Sequence, residues 1–449
     1  MRSRLRRYVL TVLAGAVSTL LLCAYSPAAP PLRQAAGLPP LGAGFLWGVA
    51  TSGFQSEGHA PDSNWTRYIA ANHGYDRLGD SADFYDRYAS DIGLAAALGV
   101  KVFRISIEWA RLQPAPGVWD AAAFAHYDAV IASIERAGMR PMITLDHWVY
   151  PGWEVDRGGW RNPGMVQDWL RNMRAVVDRY AGRNPLWVTV NEPAAYIAQE
   201  AGRGAADATA MQERIAQAHN AIYDYIHHVQ PGAQVTANVG YVAGSEAQVN
   251  GAFVDRVASR LDYVGLDYYF AYDPAQSLLG AISRATGSAL PSLPGTQMWE
   301  QPLRTEGIYY ALQYYSHRFP NKPLYIVENG MPTENGRPRA DGYTRSDHLR
   351  DTVYWLQRAR ADSINVIGYN YWSLTDNYEW GSYTPRFGLY TVDVRTDPTL
   401  TRRPTDAVGT YQQIIAAGGD PAGYRPTRGP ALCILVDPPA SCLNPVAGH

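Results

Sequence analysis

The sequence predicts an α/β protein whose one large domain is a (β/α)8 TIM barrel. Eight short apolar runs recur along the chain, and a cluster of polar or aromatic residues follows each of them. Several segments between these runs have the 3.6-residue period of an amphipathic helix. Eight buried strands that alternate with helices are typical of this barrel, and 449 residues are enough to form it.

The eight runs serve as the predicted strands, and no change in composition divides them into separate domains. In chain order the predicted strands are residues 45–50, 102–107, 142–145, 186–190, 235–239, 263–266, 324–327 and 366–371. The predicted helices include residues 83–98, 121–137, 166–180, 211–228 and 346–361. A doubly wound sheet is the alternative, but neither of the glycine-rich phosphate loops that such a sheet would need occurs in the chain.

Polar and aromatic side chains follow nearly every predicted strand, at the end where a (β/α)8 barrel holds its active site. In the order of the strands, these residues are Gln55 and Glu57; Arg104 and Glu108; Asp146, His147 and Trp148; Asn191 and Glu192; Asn238; Asp267, Tyr268 and Tyr269; Glu328 and Asn329; and Trp372, Asp376, Asn377, Glu379 and Trp380. A purely structural barrel would not need so many carboxylates, amides and indoles at one rim. We therefore expect a binding or active site there.

The two ends of the chain differ from the barrel in composition. Residues 1–29 have the basic start, apolar run and small-residue end of a secretory signal peptide, which predicts a secreted or cell-envelope protein. An uncleaved N-terminal anchor is the alternative. We expect a linker over residues 30–44, the barrel domain over residues 45–418 and a Pro-rich tail over residues 419–449. Cys433 and Cys442 lie in that tail and predict a local disulfide, with two free thiols as the alternative.

Charge argues against a polyanionic partner. The 39 basic and 41 acidic residues give a net charge of -2, and no basic stripe is visible apart from the extreme N-terminus. Nucleic-acid binding would require a basic stripe, so we expect no nucleic-acid partner. We also expect no stable membrane span once the signal peptide has been removed, and the sequence does not indicate an oligomeric state.

Two glutamates, Glu192 and Glu328, directly follow predicted strands on opposite sides of the barrel, and each stands beside an asparagine. Paired carboxyl groups without metal ligands are typical of glycoside hydrolysis, in which one donates a proton and the other is nucleophile or base. A lone glutamate at a strand end is more often a cap or an ion-pair partner, but two in this arrangement favour catalysis. A Ser-His-Asp hydrolase is disfavoured because the GxSxG elbow is absent.

No metal or other cofactor is expected. His147 could in principle bind a metal, but the chain has no HExxH motif and no clustered partner for it. A hydrogen bond from His147 to a sugar hydroxyl, or a structural role, agrees better with the residues around it.

Several blocks of the chain resemble family 1 of the glycoside hydrolases, the β-glucosidase family. The first is Phe45 to Gly58, which reads FLWGVATSGFQSEG, and the next is FRISIEWAR from Phe103 to Arg111. The pair His147-Trp148 and the motif TVNEP from Thr189 to Pro193 follow in order. The last blocks are Glu328-Asn329-Gly330, YWSLTDNYEW from Tyr371 to Trp380, and RFGL from Arg386 to Leu389.

The resemblance implies a (β/α)8 barrel that hydrolyses β-linked glycosides with retention and needs no cofactor. Carried over by motif, Glu192 is the acid/base and Glu328 the nucleophile, while Arg104 and Tyr269 would hold Glu328 ionised. The residues that would bind the sugar are Gln55, His147, Asn191, Glu379 and Trp380, with Trp372 stacked beneath its ring. The expected partner is therefore a small-molecule β-glycoside or an oligosaccharide.

The chain departs from the family pattern in two ways that affect function. Asp267 stands where the family usually has asparagine, so it either disturbs the electrostatics around Glu328 or replaces one hydrogen-bonding partner. The stretches after Pro193 and between Asn238 and Asp262 are shorter than usual, so we expect a more open site for the leaving group. A transglycosylase that uses the same site and a non-catalytic carbohydrate-binding barrel are the alternatives to a hydrolase.

Overall fold

A computed structural model describes residues 37–243, 245–269 and 297–428. The predicted signal peptide and the cysteines Cys433 and Cys442 lie outside these residues, so both remain predictions. The described residues from Leu38 onward belong to one compact unit.

Eight parallel strands close into a barrel in sequence order, which confirms the predicted (β/α)8 fold. Every pair of neighbours is parallel, and β1 pairs with β8 to close the ring. The barrel strands are β1 Leu46–Ala50, β2 Val102–Ser106, β3 Arg140–Asp146, β4 Leu186–Asn191, β5 Gln234–Gly240, β6 Val264–Asp267, β7 Leu324–Asn329 and β8 Val366–Trp372.

Helices follow the strands, and the five predicted helices are present with ends that differ by only a few residues. The described α-helices are Gly53–Glu57, Asn64–Ala71, Phe84–Leu98, Trp109–Leu112, Ala121–Arg136, Gly152–Asp156, Met165–Tyr180, Pro193–Gly202, Ala208–Val229, Glu246–Val249, Gly251–Val257, Gly307–Arg318, Arg345–Ala361 and Asp406–Ala417. Short 3-10 helices cover Gly159–Arg161, Ala181–Arg183, Ala258–Arg260 and Met298–Glu300. Two-residue strands pair Thr333–Glu334 with Pro385–Arg386, and Tyr390–Thr391 with Arg403–Pro404.

A buried apolar cluster fills the barrel beneath the rim. Its members come mainly from β2, β3, β4 and β7: Val102, Met142, Leu186, Val188, Tyr263, Tyr325 and Val327. Because side chains alternate along a strand, Val102 and Arg104 share one face of β2, so the apolar cluster continues upward into the polar residues at the strand ends. The side chains at the rim therefore lie directly above this closely packed apolar cluster, which we call the floor of the site.

Packing extends past both predicted boundaries of the barrel domain. The backbone N–H of Leu41, before β1, donates to the carbonyl of Gly418 at 2.8 Å, and the Leu41 side chain is buried. Beyond Gly418, the Tyr424 hydroxyl donates to Asp351 Oδ1 at 2.6 Å. In the part of the chain that the structure describes, no helix is both long and apolar enough to cross a membrane.

A matched pair of valine substitutions tests the packing of this floor. Val188 is fully buried, whereas Val118 is 55% exposed. We expect Val188→Ala to lower the free energy of unfolding by about 2 kcal/mol, from the lost burial of two carbons and the cavity that they leave. Val118→Ala should change it by less than about 0.5 kcal/mol. Denaturant unfolding of both variants measures the difference, and equal losses would contradict the assigned core.

Candidate active site

The C-terminal ends of the strands bring all the predicted site residues to one rim of the barrel. Arg104 lies on β2, Asn191 ends β4 and Trp372 ends β8. Glu328 is the next-to-last residue of β7. The remaining predicted residues follow the strands directly: Gln55 in Gly53–Glu57, His147 after β3, Glu192 after β4, Tyr269 after β6, and Glu379 and Trp380 after β8.

The Glu328 carboxylate is held by two donors. One terminal nitrogen of Arg104 donates to Glu328 Oε1, and the Tyr269 hydroxyl donates to Oε2 at 2.8 Å. Arg104 is fully buried and Glu328 is only 4% exposed, so this ion pair is shielded from solvent. Burial and the adjacent charge of Glu328 raise the pKa of Tyr269 well above its usual value, so the phenol keeps its proton and remains a donor. The Glu328 carboxyl group therefore lies between a cation and a hydroxyl donor.

Glu192 occupies a different environment. Its backbone is in the left-handed region at φ 37°, directly before helix Pro193–Gly202, and its N–H donates to the Asn238 carbonyl at 3.0 Å. Among the described residues, no side chain or backbone group hydrogen-bonds its carboxyl. Loss of hydration raises the pKa of Glu192, and the negative charge of Glu328 raises it further, while Arg104 opposes both effects. Glu192 therefore tends to keep its proton.

Gly240, the last residue of β5, makes room for the Glu192 carboxyl. A Cβ atom added at Gly240 would meet Glu192 Oε1 at a separation that real Cβ atoms do not show. Sequence reasoning did not find this residue, because a glycine at a strand end usually indicates only a turn.

A chain of amides links the strand ends. Asn191 Oδ1 accepts hydrogen bonds from Arg104 and from Asn238 Nδ2, each at 2.7 Å. The same Asn238 amide also donates to Asp267 Oδ2. Asp267 thus accepts a hydrogen bond from an amide and receives none from Arg104, whose three nitrogens donate to Thr144, Glu328 and Asn191.

Aromatic rings line one side of the site. His147 lies parallel to Trp372, with ring centroids 5.9 Å apart, and parallel to Trp380 at 6.0 Å. Trp148 stacks on Trp380 at 4.7 Å, and its indole N–H donates to the Asn191 carbonyl at 2.8 Å. Trp65, in the helix Asn64–Ala71 that the sequence analysis did not predict, packs 4.6 Å from Trp380. We name Trp372, Trp380 and His147 the aromatic wall.

The polar groups next to the wall are mostly neutral. Burial, and secondarily the charge of Arg104, lower the pKa of His147 well below its usual value, so this imidazole is uncharged. Gln55 Nε2 donates to Glu379 Oε2 at 3.3 Å, and Trp372 Nε1 donates to Oε1 at 3.2 Å. Burial nevertheless raises the pKa of Glu379 to about 8.

Within the described residues, one group could hold a cation, and it lies apart from the residues above. His59, Asp83 and Asp86 place ligand atoms within 4.8 Å of one another, but His59 and Asp86 are exposed. None of the three belongs to the site around Glu192 and Glu328. His219 is a satisfied structural histidine, bonded to Thr189 Oγ1 at 2.6 Å and to the Arg260 carbonyl at 2.8 Å.

The rim of this (β/α)8 barrel holds two carboxyl groups, of which one is ion-paired and the other tends to stay protonated. Indoles and amides lie beside them. This combination is typical of the glycoside hydrolase class. The model of glycosyl hydrolase family 1 matches residues 39–253 and 244–420. The chain belongs to glycosyl hydrolase family 1, which confirms the resemblance seen in the sequence.

Several known proteins align with most of the chain. Beta-glucosidase 40 of Arabidopsis thaliana is 26% identical over 83% of this chain and 92% of its own length. A chloroplast galactolipid galactosyltransferase of the same plant is also 26% identical, over 83% of this chain and 65% of its own length. The β-glucosidase from Thermotoga maritima in complex with deoxynojirimycin has a TM-score of 0.72 and 25% identity, covering 86% of this chain and all of that one.

The contact between Gly240 and Glu192 leads to a structural prediction. In Gly240→Ala the new methyl group should push the Glu192 carboxyl aside by about 1 Å, because the backbone of β5 is fixed in the barrel. Gly93→Ala, at a helical position with nothing within 4 Å, is the control and should leave the site as it is. Crystal structures of both variants measure the shift. An unmoved Glu192 carboxyl in Gly240→Ala would contradict the described placement.

Proposed function

We propose that the protein is an exported, retaining β-glycosidase that removes terminal β-linked sugars by double displacement, with β-glucosides as the main substrates. Glu328 is the nucleophile and Glu192 the acid/base. The observation that carries the proposal is the contrast between the two carboxyl groups: Glu328 accepts from Arg104 and Tyr269, whereas no described residue hydrogen-bonds the Glu192 carboxyl. Burial also raises the pKa of Glu192. A nucleophile must be ionised and a proton donor must be protonated.

The first step forms a covalent intermediate. A carboxylate oxygen of Glu328 attacks the anomeric carbon, and the bond from that carbon to the glycosidic oxygen breaks. Glu192 transfers its proton to the glycosidic oxygen, so the aglycone leaves as a neutral alcohol. Glu328 is then a glycosyl ester and Glu192 a carboxylate.

The second step reverses the proton transfer. Glu192, now ionised, takes a proton from water, and the hydroxide oxygen bonds to the anomeric carbon from the face that the aglycone vacated. The ester bond to Glu328 breaks, and the sugar leaves with its β configuration. Glu192 and Glu328 return to their starting protonation states.

The aromatic wall and its neighbours supply the sugar site of the proposal. Trp372 stacks against the apolar face of the ring, and Gln55, Glu379 and Trp380 bind hydroxyl groups, together with His147 and Asn191. The neutral imidazole of His147 can donate one hydrogen bond and accept another, which suits a hydroxyl partner. The short stretches after Pro193 and between Asn238 and Asp262 leave the aglycone side more open than is usual in the family.

Substrate class is tested by a panel of nitrophenyl glycosides. The β-glucosidase relatives favour a β-glucoside, and we expect lower activity on β-galactosides and β-fucosides and none on α-glycosides. One relative is a galactosyltransferase, so transfer to a sugar acceptor is the second candidate function. Analysis of the products at high acceptor concentration separates the two: free sugar indicates hydrolysis and new glycosides indicate transfer.

The proposal that the protein is exported rests on its N-terminal residues alone. We expect expression in a secreting host to release a mature chain that starts near Pro30, which N-terminal sequencing would establish. An intact N-terminus in the membrane fraction would support the uncleaved anchor instead.

Glu192→Ala tests the acid/base role. Loss of the proton donor should slow poor leaving groups such as alkyl glucosides by about 10² to 10⁴-fold. Dinitrophenolate leaves without a proton, so formation of the intermediate from a dinitrophenyl glucoside should slow far less. Azide should restore turnover by replacing water and should give the β-glycosyl azide. Glu213→Ala, at an exposed helical position, is the control and should behave like the wild type. Equal losses for good and poor leaving groups would remove Glu192 from this role.

Glu328→Gly tests the nucleophile. Hydrolysis should fall by on the order of 10⁴ to 10⁶-fold, because no group remains to form the ester. An α-glucosyl fluoride should fit into the space left by the side chain and transfer its sugar to an added acceptor with β configuration. Glu192 would have to activate that acceptor, so Glu328→Gly combined with Glu192→Ala should lose the transfer. Hydrolysis at the wild-type rate in Glu328→Gly would show that the nucleophile is another residue.

A further inference from the structure

Asp267 ends β6 with its carboxyl buried inside the site; the residue is only 1% exposed. In the sheet register it lies directly opposite Glu328 on β7. Asn238 Nδ2 donates to its Oδ2, while its Oδ1 is buried and has no hydrogen-bond partner among the described residues. A buried carboxylate with only one donor is poorly stabilised, because an ionised carboxylate needs several.

The groups that face Asp267 do not offer a free cation. Glu328 approaches from β7, Glu192 from the end of β4, the phenol of Tyr269 from the chain just beyond β6, and Arg104 from β2. Arg104 makes its hydrogen bonds to Glu328, Asn191 and Thr144, so none of them reaches Asp267. The charge of one guanidinium thus acts on three carboxyl groups, and Glu328 is the one it pairs with directly. A second buried negative charge beside Glu328 would be strongly unfavourable.

We propose that Asp267 is a positioning residue that keeps its proton through the reaction cycle and acts as a neutral hydrogen-bonding group. The proposal rests on the proposed function, because it concerns the protonation of the site in which Glu192 and Glu328 act. As a neutral acid, Asp267 accepts a hydrogen bond from Asn238 through its carbonyl oxygen. Its other oxygen carries an O–H, where the asparagine usual in the family would carry an amide NH₂.

The neutral form serves the acid/base chemistry through the amide chain. Asp267 Oδ2 accepts a hydrogen bond from Asn238, and Asn238 donates another to Asn191. Asn191 in turn accepts from the guanidinium that binds Glu328. Burial raises the pKa of Asp267 well above its usual value, and the charges of Glu328 and Glu192 raise it further, against the opposing effects of Arg104 and Asn238. Two protons are therefore shared among three carboxyl groups, one on Glu192 and one on Asp267.

The pH dependence of Asp267→Asn distinguishes a neutral from an ionised Asp267. Activity falls on the alkaline side as Glu192 loses its proton. If Asp267 is neutral there, an amide replaces a neutral group, and the alkaline limb of kcat/KM should stay within about half a pH unit. If Asp267 is ionised, its removal takes away a negative charge that raises the pKa of Glu192. The limb would then move down by about one pH unit or more, and the proposal would be overturned.

Infrared difference spectra provide a readout that does not require activity. At neutral pH the exposed carboxyl groups are ionised, so the C=O stretch of a protonated carboxylic acid reports only protected groups. The wild-type enzyme minus Asp267→Asn should retain one such band, and the wild-type enzyme minus Asp255→Asn, whose side chain is 75% exposed, should retain none. Absence of the band in the first difference would also overturn the proposal.

Asp267→Ser, measured in the same two ways, replaces Asp267→Asn if that variant folds poorly. A wild-type enzyme that cleaves no glycoside of the panel would contradict the proposed function, while the infrared band would still decide the protonation of Asp267. A wild-type enzyme that is active, with a limb that moves down in the variant, would overturn only the proposal on Asp267.

Discussion

The guanidinium of Arg104 is the group on which the rest of the site depends. It is fully buried, and its nitrogens reach three other strands: Thr144 on β3, Asn191 on β4 and Glu328 on β7. A buried cation must have its donors filled, and the flat fork of arginine fixes the directions in which its acceptors lie. The ends of these strands therefore cannot shift independently. One side chain on β2 sets both the position of a carboxylate on the far side of the barrel and the orientation of the amide next to Glu192.

The same cation explains why two glutamates in one small space differ. Glu328 pairs with it directly, whereas Glu192 is half-buried, has no such contact and feels mainly its own loss of hydration and the charge of Glu328. Residue type alone does not create this division, since both side chains are glutamates at strand ends. The difference arises because Glu328 lies within hydrogen-bond reach of the guanidinium and Glu192 does not. The closed barrel fixes both positions.

Much of the fold could be read from the chain because the physical signals are local. Apolar runs such as residues 186–190 are buried on both sides in a parallel barrel, so each strand is visible without its neighbours. Glu192 and Glu328 could be chosen as candidate catalytic residues because they directly follow such runs. Contacts between residues on different strands could not be predicted in this way. Gly240 contacts Glu192 and Trp65 packs on Trp380 only because of the closed barrel, and the link from Asp267 through Asn238 to Asn191 joins three strands that are far apart in sequence.

The aromatic wall has a consequence for the conditions in which the protein can work. Burial disfavours charge on its members and their polar neighbours: it lowers the pKa of His147 and raises the pKa of Glu379 to about 8, and the others are indoles and amides. In the proposed role, a neutral sugar is recognised there through ring stacking and hydroxyl hydrogen bonds, without any ion pair. Dissolved salt acts on proteins largely by screening charges, and these groups present little charge at neutral pH. In that role, the affinity for the sugar should depend little on ionic strength, whatever the salt concentration around the protein.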